Sequence, residues 1–149
     1  MQEAIERIRS IDYDLIFNQA IEEKKNLILD LIRSQLSKGN RVDGSAIGEH
    51  TMGVISEKYV ELKRSLNLFA GGSFPKYDLF FEGNYYASLV LNTTNNDIEI
   101  TSTDPKEPLI EKHTGSLDNA LRLSEEHLGI LREELLPIIQ NKIRGSLGI

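Results

Sequence analysis

The side chains best suited to metal binding or acid–base chemistry in this sequence are three histidines, His50, His113 and His127. Each has an acidic residue within two positions, but no two histidines are three or four residues apart, as two ligands on one helical face would be. The chain contains no cysteine, which excludes disulfides and thiolate metal sites. The sequence therefore predicts no metal site.

Motifs for nucleotide binding or nucleophilic catalysis are also missing. The stretch 71–76 (Gly-Gly-Ser-Phe-Pro-Lys) is superficially similar to a phosphate loop but lacks its spacing, so backbone flexibility explains it better. No serine lies in a nucleophile elbow, and the glycosylation pattern at 92–94 has no consequence in a protein that is not secreted. We predict that the protein is not an enzyme and holds no cofactor. An enzyme whose site forms no recognisable motif is the alternative.

The net charge of −6 is concentrated in the middle of the chain, where residues 39–121 hold twelve acids and seven bases. Binding nucleic acid through its phosphates requires a basic stripe, and none is present. The acidic surface either keeps the protein soluble or faces DNA that must not be bound. Lys58, Lys63 and Arg64 could bind an anion, although such charges usually form a solvated helix face. No apolar run is long enough to cross a bilayer, and the N-terminus lacks a signal-peptide core, so we expect no membrane association.

Apolar residues at three- and four-residue intervals predict two long helices, at about 14–37 and 125–144. Shorter helices are expected at 2–10, at 54–66 and within 104–115. An aspartate at 12 or 14 and Ser124 are the expected N-caps, and Gly39 is the expected C-cap. Pro137 is expected to kink or divide the last helix.

Alternating apolar and polar residues around an Asn-rich turn predict a β-hairpin from 85–92 and 97–101, with a further strand at 77–81. The resulting fold class is α+β: a small antiparallel sheet packed on two long helices, in a single domain spanning 1–149. Its parts are N-terminal helices (1–38), an extended arm (39–76), the hairpin with a short helix (77–121) and a C-terminal helix (122–149). The predicted core, helix against sheet, consists of Ile28, Leu31, Ile32, Leu89, Leu91, Ile98, Ile100, Leu131 and Leu135.

The predicted arm is unusually long for a connection in a compact domain, where two to about six residues are common. It is too rich in aromatic and aliphatic side chains for a linker. We therefore interpret it as a surface for contacting other subunits or partners. The candidate interface residues are Ile55, Tyr59, Leu62, Phe69, Phe74 and Tyr77.

Several segments, taken in order, resemble the bacteriophage head–tail connector and tail-completion proteins. They are 35–39 (Gln-Leu-Ser-Lys-Gly), 43–48 (Asp-Gly-Ser-Ala-Ile-Gly), 59–63 (Tyr-Val-Glu-Leu-Lys), 78–89, 102–106 (Ser-Thr-Asp-Pro-Lys) and 109–115 (Leu-Ile-Glu-Lys-His-Thr-Gly). The resemblance covers roughly residues 13–140. It departs from the family pattern at Glu82, where a threonine is usual, and at Ala120-Leu121, where glycine-leucine is usual.

This resemblance implies a non-enzymatic virion component assembled in the host cytoplasm. It would form a homo-oligomeric ring, six- or twelve-fold, between portal or adaptor and tail proteins, with DNA passing through without specific binding. Asp97 and Glu99 are the candidate channel-facing acids, because they share the polar face of a predicted strand; an outer-rim position is the alternative. The alternative function is an intracellular adaptor or regulator, monomeric or dimeric, that binds another protein through the same arm.

Overall fold

The computed structural model describes residues 2–47, 57–66, 79–80, 83–94 and 97–149. These residues form seven helices and one two-stranded antiparallel sheet, which confirms the α+β class. The helices are α1 (Gln2–Arg9), α2 (Tyr13–Glu23), α3 (Lys25–Ser37), α4 (Glu57–Ser65), α5 (Asn84–Ala87), α6 (Glu107–Thr114) and α7 (Glu125–Leu147), and the strands are β1 (Leu89–Thr94) and β2 (Asp97–Ser102).

The first predicted long helix is divided into α2 and α3 at Lys24, so its expected continuity was wrong. None of the four consecutive charged residues 22–25 is buried. The break between the two helices therefore falls where no side chain is buried in the core. The predicted ends are confirmed: Asp12 accepts a hydrogen bond from the Leu15 backbone N–H at 2.9 Å, and Gly39 has the positive φ of 68° typical of a C-terminal glycine.

The hairpin is confirmed, with Leu89 opposite Ser102 and Thr94 opposite Asp97. Its first strand begins later than predicted, because residues 84–87 form the helical turn α5. Gly83, with φ 81°, starts this turn. The Ser88 hydroxyl donates to the Tyr85 carbonyl at 2.6 Å and so helps to end it. The further strand expected at 77–81 is wrong in its described part, since residues 79 and 80 are not in a strand.

The core lies where α3 contacts β1 and α7. Most of the predicted core residues are confirmed as buried: Ile28, Ile32, Leu89, Leu91, Leu131 and Leu135. Ile98 and Ile100 are partly buried and pack against this cluster. Leu31 is half-buried and outside the cluster, so its assignment to the core was wrong. The buried face of α3 is centred on Ile28 and Ile32, and Leu31 lies about a quarter-turn away from it.

Residues 39–47 pack onto the body of the protein, so the predicted arm does not begin at residue 39. The Arg41 guanidinium donates to the carbonyls of Ser116 and Thr114, at 2.5 and 2.8 Å. The Val42 N–H donates to the Asn119 carbonyl at 2.8 Å, and Ile47 is completely buried. No sequence pattern predicts these hydrogen bonds, because an arginine guanidinium can donate to any accessible carbonyl. Of the rest of the predicted arm, only residues 57–66 are described.

The helix α7 passes through Pro137 without being divided. Its predicted cap is confirmed, since the Ser124 hydroxyl accepts from the His127 N–H at 3.3 Å. Two ion pairs join this helix to the end of α2: Lys24 with Glu134 at 2.6 Å, and Lys142 with Glu23 at 2.7 Å. Both pairs are partly exposed to solvent, where such pairs contribute about 0–1 kcal/mol each. No helix in the described ranges is long and apolar enough to cross a membrane.

Candidate interaction surfaces

The helix α4 carries the described part of the predicted interface. Leu62 is 45% exposed, and Leu66, four residues later and therefore on the same face, is 53% exposed. The Leu66 N–H donates to the Leu62 carbonyl at 3.1 Å, so the helical turn includes both. The α4 backbone includes Tyr59, whose side chain lies outside the described part. Four further candidates, Ile55, Phe69, Phe74 and Tyr77, lie outside the described residues.

One side of α4 is covered, which sequence reasoning missed. Lys63 is only 2% exposed, whereas Lys58 and Arg64 are exposed. The interpretation of these three charges as one solvated face is therefore wrong for Lys63. A lysine in a charged helix gives no sequence signal of burial, because lysine is almost always exposed. The face of α4 that contains Lys63 is thus buried, whereas Leu62 and Leu66 are exposed to solvent.

A second group of exposed apolar side chains lies on α1 and at the start of α2. Ile5 is 44% exposed, Ile8 48%, Tyr13 49% and Leu15 52%. No residue of α1 is buried, although the helix contacts α7. An isolated helix of eight residues is not stable in water, so α1 depends on packing for its structure. The short length of this amphipathic segment is the signal that could have predicted its incomplete burial.

The hairpin has one covered face and one polar face, as its alternation predicted. Ile98 and Ile100 of β2 pack against the core, while Asp97 and Glu99 are exposed. Their partners on β1 are Thr94 opposite Asp97 and Asn92 opposite Glu99, both also exposed. The two carboxylates therefore lie together on an open polar face.

A shallow depression of about 310 Å³ lies at the base of the hairpin, lined by Asn84, Ser88, Thr103, Asp104, Pro105 and Lys106. Its polar groups largely bond one another. The Thr103 hydroxyl donates to the Ser88 carbonyl at 3.2 Å, and the Asp104 carboxylate accepts from the Lys106 N–H at 2.8 Å.

Nearby, the Tyr85 hydroxyl donates to the Glu107 carboxylate at 3.2 Å. Burial, together with the negative charge of Glu107, raises the pKa of Tyr85 well above its ordinary value. The hydroxyl therefore keeps its proton and acts as a structural donor rather than as an acid. Within the described ranges, no group of three or more His, Asp or Glu side chains could hold a metal ion.

Comparison with protein-family models, with curated proteins and with solved structures found no match to this chain. The resemblance to phage connector proteins stays an expectation from the ordered segments of the sequence.

Proposed function

We propose that this protein is a non-enzymatic structural subunit of a phage virion, at the head–tail junction. In this proposal it assembles with copies of itself into a closed ring, six- or twelve-fold, which joins portal or adaptor to tail proteins. The support from sequence is the ordered set of segments that resembles connector and tail-completion proteins.

The observation that carries the assembly proposal is the exposure of apolar side chains on two different helical regions. One is the pair Leu62 and Leu66 on α4, and the other is formed by Ile5 and Ile8 on α1 with Tyr13. A ring is built from heterologous contacts, in which one surface of each subunit meets a different surface of the next. Two separate apolar regions supply the two sides of such a contact. Covering these side chains in a contact stabilises the assembly by about 25 cal/mol for each Å² of apolar surface removed from water.

The charge of the hairpin supports a position near DNA within the ring. Asp97 and Glu99 are exposed on one polar face, and a channel lined by carboxylates does not bind the phosphates of passing DNA. We propose that this face lines the channel. In the outer-rim alternative, the same side chains only increase solubility.

The experiment that tests assembly replaces the two exposed leucines at the end of α4, as Leu62→Ser with Leu66→Ser. A matched control is Leu109→Ser on α6, because Leu109 is 58% exposed and belongs to neither proposed surface. Size-exclusion chromatography with light scattering on the purified proteins should show rings for wild type and control, and monomers for the α4 variant. Retention of rings in the α4 variant would remove α4 from the interface. Monomers or dimers for the wild type itself would favour the adaptor function.

A further inference from the structure

His127 lies buried at the place where α7 begins against the end of α3. The residue is 6% exposed, Leu121 before it is 8% exposed, and Leu131 one turn later is 3% exposed. Its Nδ1 atom is shielded from solvent and has no hydrogen-bond partner among the described residues. Residues 35–38 and 117–127 are called the α3–α7 junction below.

The loop before α7 is hydrogen-bonded to two other segments of the chain. The Gln35 side-chain amide donates to the carbonyls of Ala120 and Arg122, at 3.1 and 2.9 Å. From the other direction, the Val42 N–H donates to the Asn119 carbonyl at 2.8 Å. The loop before α7 is therefore hydrogen-bonded both to α3 and to the segment 39–47.

The chemistry of the buried imidazole makes this junction sensitive to protonation. In the neutral ring one nitrogen holds the proton and the other is an acceptor. Protonation puts an N–H on both nitrogens, so the buried Nδ1 becomes part of a cationic donor with no acceptor opposite it among the described residues. A charged donor buried without a partner is strongly unfavourable. The first turn of α7 also has the positive end of the helix dipole, which opposes a cation at this position.

The charged groups that act on the imidazole are Lys38, which follows α3, and Glu126 on α7 itself. Burial is the largest effect and lowers the pKa of His127; Glu126 opposes this shift, and Lys38 adds to it. In the unfolded chain the imidazole has its ordinary pKa of about 6.5. The unfolded or locally opened state therefore binds more protons below that pH. The contribution of neutral His127 to the stability of the junction is therefore fully present above about pH 6.5. It is lost as the pH falls toward the lowered pKa of the folded state.

We propose that His127 is an acid-sensitive latch that holds the start of α7 against α3 when neutral and releases the junction when protonated. The proposed opening is local, because the strand pairing of the hairpin lies outside this junction. The proposal does not depend on the function proposed above.

The test combines an NMR titration of the His127 ring with amide hydrogen exchange from about pH 7.5 to about pH 5.5, a range that spans the ordinary histidine pKa. Useful reporters are the Leu121 and Leu128 amides, which donate to the carbonyls of Leu117 and Ser124. Protection factors of Val90 and Thr101, which lie opposite each other in the hairpin, serve as the reference. In the wild type, the reporters should lose protection relative to the hairpin on acidification.

The decisive variant is His127→Phe, which keeps a ring but cannot be protonated, and His127→Gln is a second non-titrating variant. Both should abolish the acid-dependent loss, while the control His50→Gln should retain it. An equal loss in the non-titrating variants would overturn the proposal. If neither variant folds, the wild type decides: loss of reporter protection together with a His127 pKa below about 6.5 supports the latch, and unchanged protection or a pKa at or above about 6.5 contradicts it.

Discussion

Two leucines of α7 offer a direct test of the core. Leu131 is 3% exposed and lies in the hydrophobic cluster, whereas Leu136 on the same helix is 56% exposed. Changing each to alanine removes the same three carbon atoms and changes the intrinsic helix propensity equally. The difference between the two variants therefore reports burial alone.

The expected magnitudes follow from exposure. A buried Leu→Ala change costs about 2–5 kcal/mol, which combines lost transfer free energy with the cavity left behind. For Leu136, three carbons at about 0.8 kcal/mol each, with less than half of the residue covered, give about 1 kcal/mol as an upper estimate. Leu131→Ala should therefore be the more destabilising variant by at least about 1 kcal/mol. For a chain of this size, each kcal/mol lowers Tm by about 2–4 °C.

The assay is urea denaturation at one fixed protein concentration, since assembly would make the midpoint concentration-dependent. The two variants should share the wild-type slope and differ in midpoint, with Leu131→Ala the lower. Leu31→Ala should cost less than Leu131→Ala because Leu31 is only half-buried. Equal midpoints for Leu131→Ala and Leu136→Ala would show that the assigned face of α7 is wrong.

Gln35→Leu should lower the free energy of unfolding by about 1–3 kcal/mol in chemical denaturation, because the carbonyls of Ala120 and Arg122 lose their amide donor. A midpoint equal to that of the wild type would show that Gln35 does not stabilise the loop before α7. Charge reversal by Asp97→Lys with Glu99→Lys should leave assembly intact but slow DNA packaging or ejection, with the defect easing as salt rises. The control Asp118→Lys with Glu133→Lys has the same change in charge at exposed positions elsewhere, and equal defects in both variants would refute a channel-specific role.

The sequence predicted those features that depend on local patterns. The caps at Asp12 and Ser124, the C-terminal glycine of α3, the short helices and the hairpin all follow from the chemistry of one segment. Periodicity also placed most of the core correctly, since the repeat of a helix or strand determines which residues share a face.

The sequence did not predict features that depend on pairing between distant segments. Arg41 binds carbonyls more than seventy positions away, and no local pattern distinguishes it from a surface arginine. The aromatic residues at 85 and 86 suited a strand, but the left-handed Gly83 and the Ser88 hydroxyl favour a helical turn instead. The burial of Lys63 and His127 depends equally on tertiary packing, which overrides the usual preference of each residue type.

Electron microscopy of the purified full-length protein is the most direct test of the proposed ring. We expect closed rings of six or twelve subunits with the α4 face of each subunit against its neighbour and with Asp97 and Glu99 directed to the central channel. Particles that are monomers or dimers at every concentration would contradict the ring. A ring with outward-pointing acids and a channel lined by lysines and arginines would contradict the proposed role of the hairpin.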